Sequence, residues 1–249
     1  MSAMLLADSI GMSFSGRPVL GAATLRAFTG SVGYLVGRNG CGKSTLLRVI
    51  SGELTADHGV VTYDGVPRMP PRWHQLAREG FYYLPDRDLL APDWTPRRLL
   101  ATITRQFRLP GYEHAAAQCA ITPFLDRPCE ALSTGERRRV EVATALARQP
   151  RCLLADEPYR NLDPPDRLVI AGALRAMAAA GCAVIVTGHE IEDLFDTADY
   201  LVWCTDRTTY ELGSPRAALM DWRFVREYLG PVRAAQLAQN RIEPTATQG

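Results

Sequence analysis

Lysine is almost missing from this chain: of 28 basic residues among 249, only Lys43 is a lysine. Large net charge is missing too, because 27 acidic residues leave a formal value of +1. That balance excludes the broad positive field of a general nucleic-acid binder, and no nucleic acid is expected as a partner. The short basic run Arg137–Arg139 reads as a solvated helix face. Six cysteines and four histidines occur without Cys-x-x-Cys spacing or clustering, which argues against a zinc site. With no secretory leader at the N-terminus, the cysteines are expected as free thiols in a reducing cytoplasm. No apolar run approaches the roughly 18–20 residues of a membrane span, so the chain is expected beside a membrane protein at most.

The one lysine sits in Gly37-Arg-Asn-Gly-Cys-Gly-Lys-Ser-Thr45, which satisfies the pattern of glycine, four residues, glycine, lysine and serine or threonine. An apolar, β-prone run, Val32 to Val36, precedes it, and Leu46 to Ile50 continues helically, so the loop is predicted between a strand and a helix. Glycines 37, 40 and 42 let backbone N–H groups turn inward around phosphate oxygens, and the helix N-terminus adds partial positive charge. Lys43 then reaches β- and γ-phosphates, and Ser44 can ligate Mg²⁺. Asn39, Cys41 and Thr45 complete the candidate nucleotide-binding loop. A compact ammonium on a flexible stem suits this role better than a planar guanidinium. Cys41 is either a thiol activated by the helix N-terminus or merely a small residue at a position that accepts one.

Along the chain, Met4 to Phe14 and Val19 to Ala27 read as strands of a small β layer joined at Ser15-Gly16-Arg17-Pro18. Phe14 is placed either to stack on a base or to pack in the core. Strands are also predicted at Val60 to Tyr63 and Gly80 to Leu84. Helical pieces broken by prolines then point to a helical subdomain over about 86–148. Ser133, with Glu136 three residues on, reads as the capping box of a helix running toward Ala147. After it, strand Cys152 to Ala155, helix Pro165 to Ala179 and strand Ala183 to Thr187 alternate as in an α/β fold. Tyr200 to Cys204 and Thr208 to Leu212 are predicted strands, Arg216 to Tyr228 a helix, and residues 241–249 a disordered tail.

Asp156 and Glu157 follow the apolar strand Cys152 to Ala155, at the carboxyl end where open α/β sheets bind ligands. Beside a phosphate loop, Asp156 is placed to hold Mg²⁺ and Glu157 to orient an attacking water.

With these residues in order, the sequence resembles the nucleotide-binding subunit of an ABC transporter over nearly its whole length, 1–240 forming one cassette. The resemblance rests on the phosphate loop, on Leu132-Ser133-Thr134-Gly135-Glu136, similar to the family signature, and on Asp156-Glu157. It also rests on Asn161-Leu162-Asp163, similar to the loop that crosses the dimer interface, and on His189 at the switch histidine. It implies the P-loop NTPase core of ABC type, α/β, with an antiparallel β layer and a helical subdomain. ATP and Mg²⁺ are then the expected ligands, with Glu157 and His189 catalytic, Phe14 on adenine, and Ser133 and Gly135 receiving the terminal phosphate of an opposite subunit. A homodimer or heterodimer of cassettes and an integral membrane transporter subunit are the implied partners. The implied location is cytoplasmic, peripheral on the cytoplasmic face of the membrane. Val225-Arg226-Glu227-Tyr228-Leu229-Gly230 resembles lipopolysaccharide-export and branched-chain amino-acid cassettes. Three positions depart from the family pattern: Thr134 for glycine, Glu136 for glutamine, and Asp86 where the family has the glutamine joining the nucleotide site to the membrane partner. Asp86 is expected to face the metal as a hard oxygen ligand. A soluble ATP-gated clamp and a low-turnover regulatory subunit are the alternative readings.

Overall fold

The protein is described by a computed structural model covering residues 3–189 and 197–239; the tail predicted at 241–249 lies outside the described residues. Ten strands form one continuous sheet: β1 Ala3–Phe14, β2 Arg17–Phe28, β3 Val32–Val36, β4 His58–Tyr63, β5 Val66–Arg68, β6 Phe81–Leu84, β7 Cys152–Ala155, β8 Ala183–Gly188, β9 Tyr200–Thr205 and β10 Thr208–Gly213. Their spatial order is β5-β4-β1-β2-β10-β9-β3-β8-β7-β6. Strands β9, β3, β8, β7 and β6 run parallel, while β5, β4, β1 and β2 pair antiparallel. The small β layer expected near the N-terminus is thus fused to the parallel sheet, through the single register pair Thr208 and Ala22. The sequence hides that junction because it joins segments far apart in the chain.

The parallel strands are apolar along most of their length because both faces are covered, and the period of two divides each strand between two cores. Val32, Tyr34 and Val36, with Leu153, Ala155, Val184 and Val186, share a core with helices α3 Pro96–Phe107, α4 Glu113–Gln118, α5 Thr134–Arg148 and α6 Pro164–Ala179. Leu35, Leu154 and Ile185 face the opposite way, onto Leu46, Leu47, Val49 and Ile50 of helix α1 Lys43–Ile50. Leu5, Ala7, Leu20, Leu25 and Val61 of the antiparallel strands close over the same helix. Helix α1 is thereby held between the two parts of the sheet, and the loop that begins it has fixed walls on both sides.

Ser133 caps α5 as the sequence predicts. Its hydroxyl accepts from the Glu136 N–H at 3.1 Å, and the Glu136 carboxylate accepts from the Ser133 N–H at 2.8 Å. The helix predicted over Arg216 to Tyr228 is instead interrupted. Pro215–Ala218 stops, Asp221 accepts from the Phe224 N–H at 2.8 Å to start Trp222–Phe224, and a wide turn over Val225–Leu229 follows. An aspartate that caps within an apparently helical run restarts the chain rather than continuing it. Strand β5, helix α2 Trp73–Arg78 and the terminal helix Pro231–Gln239 have no counterpart among the expected elements.

Candidate functional site

The phosphate loop crosses from the end of β3 to the start of α1. Gly42 has φ 110°, in the left-handed region, and a Cβ there would lie 2.7 Å from Leu20 Cδ2. At Gly37 a Cβ would lie 2.4 Å from the Cys204 carbonyl oxygen and 2.7 Å from Cys41 Sγ. Glycine at these two positions is therefore required by close approach of the walls as well as by backbone conformation. Lys43 is only 4% exposed. Its ammonium curls over the loop and donates to the carbonyl oxygens of Gly37 at 2.8 Å and Arg38 at 3.2 Å. A desolvated cation held over inward-turned N–H groups is a site for phosphate anions.

A cleft of about 360 Å³ lies above the loop, lined by Asn39, Gly40, Gly42, Lys43, Ser44 and Thr45, with Glu157, Arg160 and His189 on its far side. The strand ends deliver those far-side groups. Asp156 follows β7 fully buried, its carboxylate accepting from the Thr187 hydroxyl at 2.6 Å, with Ser44 near enough to lower its pKa. Burial pushes its pKa up, against the lowering effect of those two hydroxyls, and the nearby charges of Asp86 and Glu157 push the same way. A buried carboxylate with raised pKa beside a hydroxyl gains from a hard cation. Ser44 and Asp156 thus fit Mg²⁺, which takes one or two protein oxygens and keeps its remaining places for water and phosphate.

Glu157 follows in a left-handed conformation, φ 45°, which directs its side chain away from the line of β7. Its N–H donates to Thr187 Oγ1 at 2.8 Å, so one threonine at the end of β8 positions both acids. The Glu157 carboxylate lies 3.8 Å from His189 Nδ1 and 3.8 Å from Arg160 Nε. The histidine expected at the switch and the expected catalytic acid are therefore neighbours on the same side of the cleft.

Asp86 behaves differently from the expected metal ligand. Its carboxylate lies 3.5 Å from Arg160 and shares a separate groove with Thr134, Arg137 and Asn161 instead of lining the phosphate cleft. The guanidinium is the partner the structure gives it. Ser133 and Gly135 sit at the start of α5 and do not line the phosphate cleft of their own chain. Phe14, at the end of β1, is 43% exposed, which suits contact with a ligand better than a core role. Asn161 turns through φ 57° before α6, and Leu162 is buried behind it.

Four contributors escaped the sequence reading. Thr187 orders both acids, and Arg160 joins Glu157 to Asp86. Tyr159 stacks on Tyr34 at 6.4 Å, fixing the segment after Glu157 against the strand that feeds the loop. Tyr228 reaches the carbonyl oxygen of His189. Only Thr187 carried a signal, as a polar residue closing an apolar strand at the ligand-binding end of the sheet.

The profile of the ABC transporter family matches residues 20–160, from β2 through the phosphate loop to Arg160. The chain belongs to the ABC transporter family. It is 31% identical over 239 residues to the lipopolysaccharide export system ATP-binding protein LptB of Acidithiobacillus ferridurans, covering 92% of this chain and 98% of that protein. It is 32% identical over 242 residues to the hemin import ATP-binding protein HmuV of Rhodococcus jostii, covering 93% and 82%. The crystal structure of a nucleotide-free ATP-binding cassette from an ABC transporter superposes with TM-score 0.80 at 21% identity, covering 92% of this chain and all of that one. That likeness shows the cassette fold. As an ABC cassette the chain is the ATP-binding and ATP-hydrolysing subunit of a transporter, working with a separate membrane-embedded subunit and a second cassette. Among the described residues no helix is long and apolar enough to cross a membrane.

Proposed function

We propose that the cleft above Gly37–Thr45 hydrolyses ATP with Glu157 and His189 as its catalytic pair. The observation that carries this reading is their 3.8 Å approach to each other beside a cleft floored by Lys43 and Ser44. ATP lies with its phosphates on the loop N–H groups and Lys43, and with adenine against the exposed ring of Phe14. Ser44 and Asp156 would hold Mg²⁺, which would supply neutralising charge to the phosphates. Glu157 orients the attacking water and His189 contacts the γ-phosphate. Ser133 and Gly135 act on the nucleotide of the opposite cassette, which accounts for their absence from their own cleft. Residues 1–240 function as one cassette with 86–148 as its helical subdomain, docked at the cytoplasmic face of the membrane. The named relatives are export and import subunits alike, so the cargo is set by the membrane partner. The test is phosphate release by purified protein with MgATP. Lys43→Ala should lose nucleotide binding and turnover and Lys43→Arg should be impaired, whereas unchanged affinity and turnover in both variants would remove the loop from the reaction.

A further inference from the structure

Strand β9 leaves the parallel sheet directly behind the phosphate loop, and its residue Cys204 faces Cys41 of the loop. The Cys204 thiol donates to the Cys41 carbonyl oxygen at 3.3 Å, and it is close enough to the Cys41 sulfur to be the first cause of that thiol's lowered pKa. Both residues line a cavity of about 570 Å³ together with Trp203, Asp206 and Tyr228. Cys41 does not line the phosphate cleft on the other side of the loop.

We propose that Cys41 and Cys204 form a reversible disulfide in response to hydroperoxides, and that this bond shuts the nucleotide site. The thiol pair stands on its own geometry; the effect on nucleotide rests on the assignment of the cleft above.

The chemistry favours Cys41 as the attacking sulfur. It is half-buried, and its pKa is pushed down to about 6, first by the hydrogen bond from Cys204 and, against the opposing effect of burial, by the charge of Lys43. The other four cysteines, Cys119, Cys129, Cys152 and Cys182, are buried, and burial pushes their thiols up. The Cys41 thiolate attacks the peroxide O–O bond, forming the sulfenic acid and releasing water or an alcohol once the departing oxygen takes a proton. The Cys204 thiol then gives up its proton, its sulfur attacks the sulfenic sulfur, the S–O bond breaks and water leaves. Two thiols have lost two electrons and the peroxide has gained them.

The consequence for the loop follows from packing. A Cβ on Gly37 would lie 2.7 Å from the Cys41 sulfur, so the start of the loop, Cys41 and the backbone of β9 are already in contact. Closing the two sulfurs to a bond of about 2.05 Å must pull the loop toward β9. Gly40 and Gly42 flank Cys41 and line the phosphate cleft, so that displacement moves the N–H groups away from phosphate oxygens.

The experiment uses the full chain, wild type and Cys204→Ala, treated with hydrogen peroxide, alkylated, and mapped by peptide mass spectrometry. Binding of a fluorescent ADP analogue is measured before oxidation, after it, and after dithiothreitol. Wild type should yield the Cys41–Cys204 peptide and bind about tenfold or more weakly, the loss expected for one charge-assisted phosphate hydrogen bond, with recovery on reduction. Cys204→Ala should give a dimedone-reactive sulfenic acid at Cys41 and no internal disulfide. Modification of wild-type Cys41 without the crosslinked peptide would overturn the bond, and a crosslinked protein of unchanged affinity would overturn its effect. Failure of the reduced protein to bind nucleotide would refute the cleft assignment and the regulatory half with it, while the peptide map would still decide the bond.

Discussion

The Tyr228 hydroxyl donates to the carbonyl oxygen of His189 at 3.2 Å. Next to it, Arg38 of the phosphate loop donates to the Glu227 carbonyl oxygen at 2.9 Å. One turn near the C-terminus thus ties the phosphate loop, at Arg38, to the backbone of His189. The Tyr228 ring is stacked on Phe224 at 5.3 Å and leans on Trp203, so removing the hydroxyl leaves its packing in place. Tyr228→Phe is expected to lower kcat roughly fivefold, the worth of about 1 kcal/mol for one hydrogen bond, with KM for MgATP little changed. Steady-state phosphate release checks this, and an unaltered kcat would show that the tie does not position His189.

Asp86 gives a second expectation, because its carboxylate faces Arg160 at 3.5 Å. Titrating Mg²⁺ at saturating ATP should give overlapping curves for wild type and Asp86→Ala. The pair is half exposed on both sides, so its loss should cost at most about 1 kcal/mol of stability. A several-fold rise in the Mg²⁺ requirement would restore Asp86 as a metal ligand.

A third expectation concerns Glu141, buried on α5 and bonded to Arg138 at 2.9 Å and to the Leu89 N–H at 2.9 Å. Burial raises its pKa above the ordinary value near 4.5, with Arg138 acting in the opposite direction. A raised carboxyl pKa means the fold favours the protonated form. Its stabilising contribution is therefore complete below the ordinary value and is lost as pH rises through the folded one. The Tm of Glu141→Gln relative to wild type should accordingly move upward as pH rises from about 4.5. Glu141→Ala at neutral pH should cost about 3–5 kcal/mol by leaving Arg138 buried without a counter-charge. A Tm difference that stays flat with pH would contradict the raised pKa.

The loop, the capping box and the two acids were legible in the sequence because each is a local pattern with a fixed chemical reason: glycines beside Lys43, Ser133 three residues before Glu136, Asp156 after an apolar strand. Contacts across the chain were not. Thr187 serves Asp156 only because β7 and β8 pair in register, Ala155 beside Val186. Tyr228 serves His189 only because a helical-looking run breaks at Asp221 and turns back. The fusion of the two strand groups rests on Thr208 lying beside Ala22, with no local signature in either segment. The orientation of Asp86 followed from a partner, Arg160, that lies on a different loop.

Glu157, 3.8 Å from His189 beside the phosphate cleft, is the proposed group that makes ATP hydrolysis possible while binding is left to the loop. Size-exclusion chromatography of Glu157→Gln with MgATP, beside a turnover assay on the same preparation, tests it most directly. The variant is expected to bind ATP, to lose about 10²-fold or more in turnover as befits a lost general base, and to accumulate as a dimer with ATP and not with ADP. Turnover at the wild-type rate, with no dimer retained by ATP, would contradict the assignment.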